Sequence, residues 1–196
     1  MAKGDAAAAV DTWLAGLRFA QCVAKDMSMI GILSAKPAFM ANLQFLTRAA
    51  RAGSLNPALQ DKVRAELHRL PADGLDWPAA VRFEAWADAD GLRYLANAPN
   101  FAESYKKFYS HEPAQPAHPP TDAEIAEFQD FMNEIVAAFQ LPCPQTTERL
   151  RAVMKRVEKM NPAVVSAIPN YERFNQNREE VVNEEQNLMS ALAGKR

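Results

Sequence analysis

Glu84 and Asp88 stand four residues apart in Val-Arg-Phe-Glu-Ala-Trp-Ala-Asp (residues 81–88), flanked by Phe83 and Trp86. On a helix that spacing puts both carboxylates on one face. A carboxyl held against aromatic surface is pushed up in pKa and can act as a general acid. This is therefore the best acid–base pair in the chain, suited to a hydrolase- or lyase-like enzyme with a helix-lined pocket. The same residues read more simply as structure, with a half-exposed Glu84 or one paired to Arg82 or Arg48.

Other reactive side chains form weaker patterns. A Cys or Ser nucleophile needs a base within hydrogen-bond reach and a third group to orient it. Nothing in the spacing favours Cys22 with His68 for that role. His111 and His118, seven apart, are the weak candidates for a metal, two ligands where a site needs three or four. A di-iron bundle wants Glu-x-x-His pairs, but Glu66 and His68 are two apart and His111 and Glu112 are adjacent. His68 suits the negative end of a helix dipole. The chain has no G-x-G-x-x-G, P-loop, G-x-S-x-G or H-E-x-x-H, so neither a cofactor nor a confident catalytic or metal residue is assigned.

Helices must position all of these. Of 196 residues, 36 are Ala and only 7 are Gly. Alanine loses no side-chain entropy in a helix, and no long period-2 run of branched or aromatic residues competes. The fold class is all-α, an irregular bundle of seven or eight helices. The net charge of -2 argues against nucleic acid as a partner. Residues 1–110 carry 13 basic against 11 acidic side chains and residues 111–196 carry 9 against 13, too small a split to imply a polyanionic partner.

Caps and prolines mark the helices. The first spans about 5–34, with Gly31 able to bend or break it. The second starts with Pro37 at its first position and stops at Gly53; the third opens on Asn56-Pro57. The fourth covers 76–98, and Asn100 with Glu103 caps a short fifth through Tyr109. Four prolines between His111 and Pro120 make an extended connector, a stiff linker or a docking peptide for a Pro-recognising module. It divides a helical region 1–110 from a C-terminal region 121–196, within two domains or one continuous one.

Thr121 and Glu124 form a capping box for the next helix, which is acidic on its outer side. After Leu-Pro-Cys-Pro, a turn containing Cys143, residues 146–160 form a basic partner for it. The acidic rim is expected to face the basic rim, with pairs that contribute about 0.2–1 kcal/mol each and mainly set register. A short helix lies between Pro162 and Pro169. In the last helix, from about Tyr171 to Leu192, Arg178 and Glu185 interrupt the apolar seam, which suits a bundle better than a coiled coil. Cys22 is expected to be buried with Phe19, Val23 and Ile30 as a free thiol. The Met27–Leu46 run is read as core, with an apolar ligand or partner surface as the alternative.

Residues 46–55 (Leu-Thr-Arg-Ala-Ala-Arg-Ala-Gly-Ser-Leu), a Leu-rich helix ending in Leu-Pro, Arg82-Phe83-Glu84-Ala85, and Ile168-Pro169-Asn170-Tyr171 follow in order. This arrangement resembles a group of uncharacterised bacterial helical proteins, usually held in the envelope by an N-terminal membrane helix. The resemblance covers about two-thirds of the chain by general patterning and implies an envelope setting. The group has no agreed activity, so it assigns no site residue.

Met1–Val10 lacks the 7–15-residue apolar stretch of a signal peptide, and Met27–Ala35 is about half of a bilayer span. The chain is expected to be soluble and not to insert into a membrane. Its place is the bacterial cytoplasm or, had an anchor preceded it, the periplasm. With amphipathic helices and no catalytic constellation, the leading expectation is a non-enzymatic scaffold that binds another protein or itself. The alternatives are the Glu84/Asp88 enzyme and a carrier of a small apolar ligand.

Overall fold

The computed structural model describes residues 5–109, 116 and 118–194. Among the described residues all regular structure is helical: α1 (Ala6–Val23), α2 (Met29–Arg51), α3 (Pro57–Leu67), α4 (Trp77–Ala96), α5 (Phe101–Phe108), α6 (Asp122–Phe139), α7 (Cys143–Met154), α8 (Pro162–Val165) and α9 (Tyr171–Leu192). The protein is an all-α multi-helix bundle. No described helix is long and apolar enough to cross a membrane. The chain divides into two compact units, Met1–Ala80 with Gln176–Arg196, and Val81–Asn175. The divisions fall inside α4 and α9, away from the Pro-rich segment, most of which lies outside the described residues.

In the first unit α1 and α2 pack along each other, Val10, Leu14 and Leu17 facing a stripe of Ile32, Phe39, Leu43 and Leu46. The break between them comes earlier than the sequence suggests. A 3₁₀ turn at Ala24–Asp26 leads into Met27, at φ 58°, and the Ser28 side chain caps α2 by accepting from the Gly31 N–H at 2.9 Å. Gly31 does not bend a helix; it opens one. A Cβ there would fall 1.9 Å from the Asp26 carboxylate, which accepts from the Ser28 N–H. α2 then continues through Pro37, on its exposed face, although proline has no N–H to offer the carbonyl of Leu33. The second half of α9 returns to α2: Lys36 donates to Asn177 and Glu180, and Thr47 to Glu184 at 2.9 Å. Side-chain bonds of this kind, made more than 130 residues apart in sequence, bring the last helix into the first unit.

In the second unit the capping box at Thr121 and Glu124 starts α6, as its spacing predicts. α7 begins at Cys143, inside the segment read as a turn, with Pro144 in its first turn. Thr146, fully buried, ties the end of α6 to the start of α7; its hydroxyl lies 2.9 Å from the carbonyls of Ala138 and Leu141. The acidic and basic rims meet at Glu134, which accepts from Arg149 at 2.9 Å and from Arg156. A smaller core holds Leu95, Tyr105 and Ala163, where the Tyr105 and Ser166 hydroxyls are 2.7 Å apart.

Candidate functional site

Within the second unit α4 buries Ala89, Leu92 and Leu95 on the stripe that starts at Val81. Helical spacing places Glu84 and Asp88 on that same stripe, so both carboxyls are half-buried. Asp88 Oδ2 is buried without a hydrogen-bond partner. Burial first, and then the charge of Glu84, push Asp88 up to about 7, against an ordinary carboxyl near ~4.

The first turn of α9 supplies the third member, Tyr171. Its side chain is wholly buried, edge-on to Phe139 at 6.3 Å between ring centres. Its hydroxyl is likewise without a hydrogen-bond partner. Burial raises its pKa, and the fields of Asp88 and then Glu84 raise it further. The sequence contains this tyrosine in Ile168-Pro169-Asn170-Tyr171, but its position at the head of an apolar seam reads as core. Nothing in the local spacing links it to residues 84 and 88.

Glu84, Asp88 and Tyr171 thus form a set of two carboxyls and a phenol in which a proton at Asp88 is held near neutral pH. A cleft of about 590 Å3 lies beside them on the same unit, lined by Arg82 and Trp86 of α4 and by Gln129, Asp130 and Asn133 of α6. Glu84 and Asp88 are not among its lining residues, because they sit on a different face of α4. Arg82 belongs to this cleft, and Arg48, the other arginine considered for Glu84, lies over the ring of Phe45 at 5.7 Å.

His118 has Nδ1 2.8 Å from the Pro119 carbonyl and 3.5 Å from the Asn161 amide. His111 lies outside the described residues. Among the described residues no three His, Cys, Asp or Glu side chains gather as metal ligands do. His68 caps the C-terminal end of α3.

The Met27–Leu46 run divides between core and surface. Phe39, Leu43 and Leu46 are fully buried, while Met27, Ile30, Leu33 and Phe45 are exposed. Cys22 is exposed too, and Cys143 is the buried thiol. α1 carries apolar residues on two faces, and the core takes the one with Val10, Leu14, Leu17 and Ala20. Phe19, Cys22 and Val23 fall on the other, at i, i+3 and i+4. The ten exposed large apolar side chains among the described residues are unevenly spread: Phe19, Val23, Met27, Ile30 and Leu33 all lie between residues 19 and 33.

Comparison with protein-family models, with curated proteins and with solved structures finds no match to this chain.

Proposed function

We propose that the protein is a non-enzymatic helical scaffold that docks an amphipathic helix of another protein on the apolar edge at the α1–α2 junction. The observation that carries this reading is the crowding of exposed apolar side chains there, with Ile30 76% and Phe19 64% exposed. Fully burying a side chain of this size contributes about 1.5–3 kcal/mol, so several together support specific binding. Phe19 and Val23 stand at i, i+4 on α1, and Ile30 and Leu33 at i, i+3 on α2, spacings at which a helix presents a ridge to another helix. The resemblance to bacterial envelope proteins suggests where such a partner resides. A photo-crosslinking residue at Ile30, with Gln44 as the control position, tests the reading. Crosslinks to one partner from position 30 alone, abolished by Phe19→Glu with an unchanged melting temperature, support it. A crosslink to a second copy of the chain identifies self-association instead, and labelling that is equal at both positions ends the proposal.

The Asp88–Tyr171 set keeps a second reading alive, acid–base catalysis with Glu84 and Asp88. It is favoured by one observation, the buried Asp88 Oδ2 that has no hydrogen-bond partner on the helix face it shares with Glu84. Loss of a measured turnover in Asp88→Asn with retained substrate binding is the result it requires.

A further inference from the structure

The first unit holds a separate cleft of about 290 Å3, between the end of α3 and the last turns of α9. Leu67, Leu70, Pro71 and Met189 give it an apolar wall, and His68 stands at its rim. One acidic residue lines it, Glu185, which is half-buried and makes no hydrogen bond or ion pair among the described residues. The fold makes room for this side chain at a specific point. Gly74 has φ +74°, and a Cβ on it would come within 2.8 Å of Glu185 Oε1 and 2.7 Å of the Phe39 ring. Arg178, two turns earlier on α9, is held by Asp73, to which it donates from Nε at 2.8 Å.

A partly buried carboxyl left without a partner costs about 1–3 kcal/mol, which packing an apolar side chain in its place would avoid. Its surroundings select the charge of what would relieve it. Asp73 adds negative potential, and together with burial it pushes Glu185 up to about 8. An anion is therefore repelled. A metal ion would find only one carboxyl and one imidazole, too few ligands. The volume sits at the small end of ligand clefts, roughly 300–1,000 Å3.

We propose that this cleft binds a primary ammonium on a short aliphatic chain, with the ammonium on Glu185 and the chain along Leu67, Leu70 and Met189. The ammonium stabilises the carboxylate, so binding below pH 8 displaces the proton of Glu185 to solvent, and the complex is a carboxylate–ammonium pair. Asp73 bears on that pair through its charge, and His68 lines the same cleft. A free alkylamine and a lysine side chain offer the same chemistry, and the cleft is read as a site for that chemistry.

Calorimetric titration of the full chain with n-pentylamine, n-pentanol and Nα-acetyl-lysine N-methylamide tests it. Pentylamine is expected to bind about tenfold more tightly at pH 9 than at pH 7, following the carboxylate fraction of Glu185. Pentanol is expected to bind at least tenfold more weakly than pentylamine. His68→Gln keeps the pH dependence, which separates Glu185 from the imidazole. Glu185→Gln abolishes it, and Ala72→Trp, at an exposed position on the cleft wall, blocks binding without disturbing the core. Binding of the lysine amide as well as pentylamine assigns the site to protein lysines; binding of pentylamine alone assigns it to free amines. Equal affinity for pentanol, unchanged binding in Glu185→Gln, or no saturable heat from either amine overturns the proposal.

Discussion

Arg178, 2% exposed, donates from Nε and a terminal nitrogen to a single oxygen of Asp73, 105 residues earlier in the chain. It fastens α9 to the loop between α3 and α4 in the first unit. A buried pair is weak evidence for net stability, because two charges lose water when it forms, but removing one partner strips its hydrogen bonds from a charge that stays buried. Asp73→Ala should therefore destabilise the protein by about 3–5 kcal/mol in urea unfolding. Arg178→Met in the same background should recover a large part of that loss, since no buried cation then remains. Additive losses in the two single variants would contradict the coupling.

Thr146 makes a second prediction at the α6–α7 turn. The last carbonyls of a helix lack intrahelical partners, and here the buried hydroxyl reaches that of Ala138 in the last turn of α6 and that of Leu141 just beyond it. Valine has nearly the same shape and no donor. Thr146→Val should cost about 1–2 kcal/mol, read as a lower urea midpoint at unchanged slope. No shift in the midpoint would mean that the hydroxyl contributes nothing beyond filling space.

The thiols give a chemical test of which face of α1 is buried. Cys22 is exposed and Cys143 is buried, and neither is in a disulfide. A thiol reagent added to the native protein should modify one cysteine rapidly, at position 22, and reach Cys143 only on unfolding. Two equally slow thiols would mean that the apolar edge with Phe19 and Val23 is covered.

The helices are legible in the sequence because their signals are local. Asn56-Pro57, the Asn100/Glu103 pair and the Thr121/Glu124 box each act within a few residues, and each caps a helix as its spacing predicts. The α1–α2 break falls before Gly31 because Met27, four residues earlier, takes the left-handed conformation, and a methionine there carries no sequence signal comparable to a glycine. Cys22 is exposed against expectation because α1 has two apolar faces, and periodicity alone does not choose between them. Glu84 and Asp88 are visible as a pair, but Tyr171 joins them from more than 80 residues away. Arg178 and Glu185 look like flaws in a seam until the fold brings Asp73 and Gly74 beside them.

Asp88 provides the pH prediction. Its pKa is about 7 in the folded protein, through burial and then Glu84, and near ~3.9 in the unfolded chain. The folded state thus binds a proton more tightly than the unfolded state does. The stability this contributes is fully present below about pH 4 and is lost as pH rises through 7. Asparagine has the same shape and no charge to bury, so Asp88→Asn should match the parent protein only below about pH 4, and its advantage should grow from pH 5 to pH 9 by about 1–3 kcal/mol. For a chain of this size that corresponds to a rise in melting temperature of roughly 2–4 °C per kcal/mol. Glu185, about 8 through burial and Asp73, acts in the same direction, so a residual pH slope persists in the Asp88→Asn variant. Melting curves of the two proteins at pH 5, 7 and 9 decide the matter. A constant difference across that range would mean that the Asp88 carboxyl ionises freely and that its unpartnered oxygen is solvated.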